Sequence, residues 1–106
     1  EQYAGALPLW LAPEQVRAVA LSVPGVLGCH EVRTRGPLAE VYVDLHIQVE
    51  PSMSVAEGHA VAERVEKAIC DTLSQVTDVI AHLEPLDEYQ KRKTAELQDE
   101  IERSDS

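Results

Sequence analysis

The stretch Val41-Tyr42-Val43-Asp44-Leu45-His46-Ile47-Gln48-Val49-Glu50 alternates strictly between apolar and polar residues. A period of two marks a strand with one face on a core and the other turned to water. Val41, Val43, Leu45, Ile47 and Val49 are therefore core positions, and Asp44 and His46 sit on the polar face. Upstream, Val26 to Arg35 reads as a second strand, with His30, Val32 and Thr34 on one face and Glu31, Arg33 and Arg35 on the other. Gly36-Pro37 is a turn signal between the two. A third strand is expected from Val76 to Glu84, with Val79, Ala81 and Leu83 opposed to Ile80, His82 and Glu84.

Two further stretches carry a helical period. Pro13 suits a first helical turn. Val16, Val19, Ala20 and Val23 follow on one face, and Pro24-Gly25 ends the run. Ser54-Val55-Ala56-Glu57 is a capping box that opens a longer helix. Its expected buried stripe is Val55, Ala62, Val65, Ile69 and Leu73, with His59 at the edge of that stripe.

The order helix, strand, strand, helix, strand predicts an α+β fold. It is a ferredoxin-like α-β-β-α-β two-layer sandwich: a three-stranded mixed sheet with two helices on one face. The domain spans 12–85. Residues 1–11 form a lead-in broken by Pro8, where Trp10 is expected to pack near the lead-in or a dimer seam. Residues 86–106 form a charged tail, helical or disordered. From Asp87 onward it holds seven acids and four bases with little apolar surface.

Composition narrows the function. The formal charge of −10 argues against nucleic-acid binding, which needs a basic footprint, and against docking on anionic lipid. Cys29 and Cys70 are too few and too far apart for a disulfide framework, so they are expected as buried thiols in a reducing compartment. No apolar run reaches the roughly 20 residues of a membrane span, and no secretory signal is visible. Gly-x-Ser-x-Gly, a phosphate-cradling glycine loop and His-Glu-x-x-His are all missing from the sequence. The chain is not expected to be an enzyme or to take a small-molecule substrate.

The chemistry that remains is metal ligation. The chain has four histidines, His30, His46, His59 and His82, and each falls on a regular element. His82 and Glu84 are two apart on one strand and share a face. His46 and Asp44 share the polar face of the neighbouring strand, and His30 has the facing to join them. Imidazole and carboxylate suit borderline divalent ions, Zn2+ foremost, and also admit Co2+, Ni2+, Cd2+, Fe2+ or Mn2+. His59 would approach from the long helix, within one chain or across a dimer. A histidine-bearing face left open is naturally covered by a second copy.

Val23-Pro24-Gly25-Val26, Gly28 to Arg35, Val43-Asp44-Leu45-His46-Ile47, Glu57-Gly58-His59 and His82-Leu83-Glu84-Pro85 together resemble the cytoplasmic C-terminal domain of the cation diffusion facilitator family of metal transporters. The resemblance runs from about Leu7 to Pro85. It implies a homodimer at the cytoplasmic face of a membrane, attached to a transmembrane domain of the same polypeptide. It also implies zinc sites near the dimer interface, lined by His30, His46, His59 and His82 with a carboxylate at position 84. In other members of the family an acid at the Asp44 position serves with the His59 and His82 positions. Zinc-binding relatives often carry Asp where this chain has Glu84, which puts a bridging role at that position in question. The expected function is a regulatory domain of a divalent cation efflux transporter, in which metal stabilises a closed, activating dimer. The alternative is a metal-independent dimerisation or partner-docking module of the same transporter.

Overall fold

A computed structural model describes residues 11–86 of the chain. Trp10 and the tail from Asp87 onward lie outside the described residues, as do the expectations made for them. The elements are α1 (Pro13–Leu21), β1 (Gly28–Arg35), β2 (Val41–Val49), α2 (Val55–Thr72) and β3 (Val76–Pro85). The order α-β-β-α-β is the expected ferredoxin-like arrangement.

β2 is the central strand, antiparallel to β1 and parallel to β3. Its alternation has the predicted result: Val43, Leu45 and Ile47 are almost wholly removed from solvent. They meet Val16 and Ala20 of α1 and Val61, Val65 and Ile69 of α2 in one core. α1 packs against β1 and α2 against β3. Each helix also sends a side chain to a backbone group of an outer strand. Arg17 Nε donates to the Cys29 carbonyl (3.1 Å), and Glu66 Oε2 accepts from the Ala81 amide (3.1 Å). These contacts occupy polar groups that a bare sheet edge would present to other chains.

The capping box forms as expected. Ser54 Oγ accepts from the Glu57 amide (3.0 Å), and a Glu57 carboxylate oxygen accepts from the Ser54 amide (2.9 Å). The stripe it leads into begins one turn later than expected. Val55 is 89% exposed, and the buried positions are Gly58, Val61, Ala62, Val65 and Ile69. Val55 sits above the end of the sheet, on the wall of a shallow cleft with Met53, Leu83 and Pro85.

β1 departs from regular alternation. His30 pairs with His46 and Arg33 with Asp44, so two residues of β1, Glu31 and Val32, stand opposite Leu45 alone. This β-bulge is built on Glu31, which has φ 52, a left-handed conformation that a side chain bearing Cβ rarely adopts. The extra residue reverses the facing of everything after it. Val32 therefore packs against the core instead of sharing the face of His30, and Arg33 and Arg35 join the open face. Burial also pushes the Cys29 thiol above its ordinary pKa, Arg17 opposing it. Among the described residues no helix is long and apolar enough to cross a membrane.

Candidate metal centre

The helices cover one sheet face and leave the other open. Across that open face the register sets three histidines in one row, because His46 pairs with His30 on β1 and with His82 on β3. The His46 and His82 rings stack, with centroids 5.0 Å apart and planes 26° apart, while His30 is tilted 57° to His46 at 5.5 Å. The next row carries Gly28, Gln48 and Glu84. A side chain at position 28 would collide with Gln48, so glycine there lets Gln48 lie over β1.

Glu84 ties the two rows together. Its Oε1 lies 2.6 Å from His30 Nε2 and its Oε2 2.7 Å from His46 Nδ1. Partial burial resists ionisation of this carboxyl, but hydrogen bonds and charge attraction from His30 and His46 outweigh it, so Glu84 titrates below its ordinary value. The second nitrogen of His46, Nε2, faces another carboxylate, with Glu31 Oε2 at 3.2 Å.

One ligand atom each from His30, His46 and Glu84 lies within 4.8 Å of the others, at partly buried positions. Donors about 2.0–2.2 Å from a tetrahedral ion stand roughly 3.3 Å from one another. Two imidazoles and a carboxylate at this spacing fit a divalent ion after small side-chain movements. The ion would take the place of the hydrogen bonds to Glu84. The donor set is nitrogen-rich with one oxygen, which suits zinc and its neighbours.

The remaining expected ligands are placed differently. His82 is exposed and contributes a stacked ring rather than a converging nitrogen. Asp44 is one row along the sheet and lies 3.7 Å from Arg35 Nη2. His59 is 73% exposed on α2, with Glu63 at 3.8 Å. Within one chain these three do not join the cluster. Glu31 is the residue that the alternating reading missed, because strict alternation assigned it to the face away from His30. The available signal was the spacing of Cys29 and Val32, which are three apart and both core-directed. A regular strand cannot send both to the same side.

Comparison with known proteins gives a consistent picture. Residues 11–86 match the family model described as the cytoplasmic domain of cation efflux proteins. Metal tolerance protein C1 of Arabidopsis thaliana is 39% identical over 72 residues, covering 68% of this chain and 15% of that protein. Cation-efflux pump FieF of Yersinia pestis is 33% identical over 82 residues, covering 77% of this chain and 27% of the pump. The chain thus spans well under a third of the length of these curated relatives. Among solved structures, a histidine-to-alanine variant of MamM-CTD superposes with a TM-score of 0.66 at 26% identity, covering 70% of this chain and 92% of that one. A methionine-to-leucine variant of MamM CTD superposes with a TM-score of 0.65 at 28% identity, covering 68% and 90%.

Proposed function

The chain belongs to the cation efflux (cation diffusion facilitator) family, as its cytoplasmic domain, and from that premise we propose that it is the metal-responsive regulatory domain of a divalent cation efflux transporter. The observation that carries this reading is the convergence of His30, His46 and Glu84 from three different strands. Zn2+ is the ion that the donor set favours. The ligating nitrogen must present its lone pair, so binding exchanges the hydrogen bonds to Glu84 for coordination and leaves the N–H of each neutral ring on its other nitrogen.

Two copies would pair through the open histidine face, where Tyr42 and Ile80 remain substantially exposed in the single chain. His59, His82 and Asp44, outside the single-chain cluster, would then be available to ions held between subunits. Metal bound across that seam favours the closed pair over the open one. The difference in metal affinity between the two arrangements is the free energy that biases the attached membrane domains.

One observation favours the other reading, a constitutive dimerisation module. His30 and His46 already have a hydrogen-bond partner in Glu84 without any ion, so the cluster can serve as a purely structural network. Calorimetric titration of the metal-free chain with Zn2+ decides between them, with a His30→Ala, His46→Ala double variant alongside. The regulatory reading expects binding by the parent chain that the double variant loses, and a more compact dimer by small-angle scattering when zinc is added. Equal binding by both proteins overturns the site. Scattering that zinc leaves unchanged favours the constitutive module.

A further inference from the structure

We propose that Glu31 is a positioning residue of this centre: the left-handed backbone of the β1 bulge places its carboxylate beside His46 Nε2, where it accepts the ring proton once metal replaces Glu84 at Nδ1. The inference rests on the metal-site reading of His30, His46 and Glu84.

A neutral imidazole carries one N–H, and the other nitrogen holds the lone pair that a metal needs. His46 lies between two carboxylates, Glu84 Oε2 at 2.7 Å from Nδ1 and Glu31 Oε2 at 3.2 Å from Nε2. In the metal-free chain the short contact with Glu84 holds the ring proton at Nδ1, the nitrogen that converges with His30. Metal at Nδ1 would shift that proton to Nε2, where Glu31 stands as its acceptor. Outer carboxylates commonly set the tautomer and orientation of ligating histidines in this way.

The stacked His82 ring cannot do the same work. Stacking fixes the plane of His46 but is indifferent to a half-turn of the ring within that plane. Such a turn would replace both nitrogens by carbons at the two carboxylates. With metal in the place of Glu84, Glu31 is the carboxylate left to hold the orientation that packing alone leaves open.

The backbone supports a functional origin for the bulge. Glu31 is the non-glycine residue with positive φ among the described residues, at a conformation where glycine would relieve strain. Strain of this kind persists where the surrounding structure fixes it, and it concentrates at binding sites. A bulge formed only for shape would be better served by glycine.

That contrast supplies the test, with Glu31→Gly and Glu31→Gln made in the full chain. Glu31→Gly removes the carboxylate while relaxing the backbone. We expect the melting temperature of the metal-free variant not to fall, and its Zn2+ dissociation constant to rise by about 10–100-fold. NMR is expected to show the His46 ring proton at Nδ1 in both metal-free proteins and at Nε2 in the zinc-loaded ones, with the Nε2–H resonance of the loaded parent downfield of that in Glu31→Gly because Glu31 accepts from it. Glu31→Gln keeps an oxygen acceptor and is expected to fall between the parent and Glu31→Gly in both affinity and the Nε2–H resonance. An Nε2–H resonance of the zinc-loaded chain that is unchanged in Glu31→Gly overturns the proposal whatever happens to affinity. A parent chain that binds no zinc would instead sink the metal-site reading and the role of Glu31 with it, whereas zinc binding by the parent that Glu31→Gly leaves unaltered sinks only the role of Glu31.

Discussion

Glu84 is the register partner of Gln48, yet its carboxylate reaches one row along the sheet to His46, 2.7 Å from Nδ1. The same carboxylate touches His30 on the far strand. One side chain therefore links β3 to β1 across the width of the sheet, which makes its length and charge the most consequential variables of the centre.

Substitution separates those variables. Glu84→Gln keeps the size and removes the charge, and it is expected to weaken zinc binding by roughly 100-fold or more, beyond the usual effect of an outer partner. Glu84→Asp keeps the charge but loses a methylene, so it should no longer span both imidazoles and should give an intermediate affinity. Calorimetry on both variants checks the order.

Acid stability should follow the same residue. The carboxyl of Glu84 titrates in the folded chain below its ordinary value near 4.5, so between the two values the unfolded chain binds more protons and stability rises with pH. Its contribution is complete above the ordinary value and is lost as pH falls through the folded one. Thermal melts in chelator from about pH 7 to about pH 3 should show a shallower acid decline for Glu84→Gln than for the parent.

His82 offers a ring and no converging nitrogen. Replacing it by phenylalanine keeps a flat partner for His46, so the first zinc equivalent should bind within several-fold of the parent. His30→Phe should abolish that equivalent. A titration in which the two variants lose binding equally would show that His82 ligates.

The long helix depends on its first turn. Ser54→Ala removes the acceptor of the Glu57 amide and should cost about 1 kcal/mol, read as a lower denaturant midpoint. Leu45→Ala, at a position with 0% exposure, should cost about 2–5 kcal/mol. Both effects should be the same with and without zinc in the metal-site double variant.

The fold was legible because β2 declares itself: five aliphatic residues at a period of two leave one choice of face and fix the central strand. Ser54 and Glu57 announced α2 equally well. Val55 misled because its spacing fits the apolar stripe, but the sheet beneath ends before reaching it. Spacing reports which side of a helix a residue takes, not whether anything lies opposite. β1 was the harder case. Glutamate gives no sign of left-handed backbone, and one extra residue moved Val32 inward and put Arg33 on the open face. His30, preceding the bulge, kept its expected side. Shared facing put His30, His46 and Glu84 in one candidate set, but that these three converge without Asp44 or His82 was not visible, since facing gives a row and a side but not how far a side chain leans.

His30 and Glu84 are 54 positions apart in the chain, and the strand between them that supplies His46 is paired to both. No hairpin or helical fragment of this protein carries the three donors together. A chain cleaved in α2, or still emerging from synthesis without β3, offers the ion only scattered imidazoles. On the metal-site reading, strong zinc capture would certify that both ends of the sheet have been assembled.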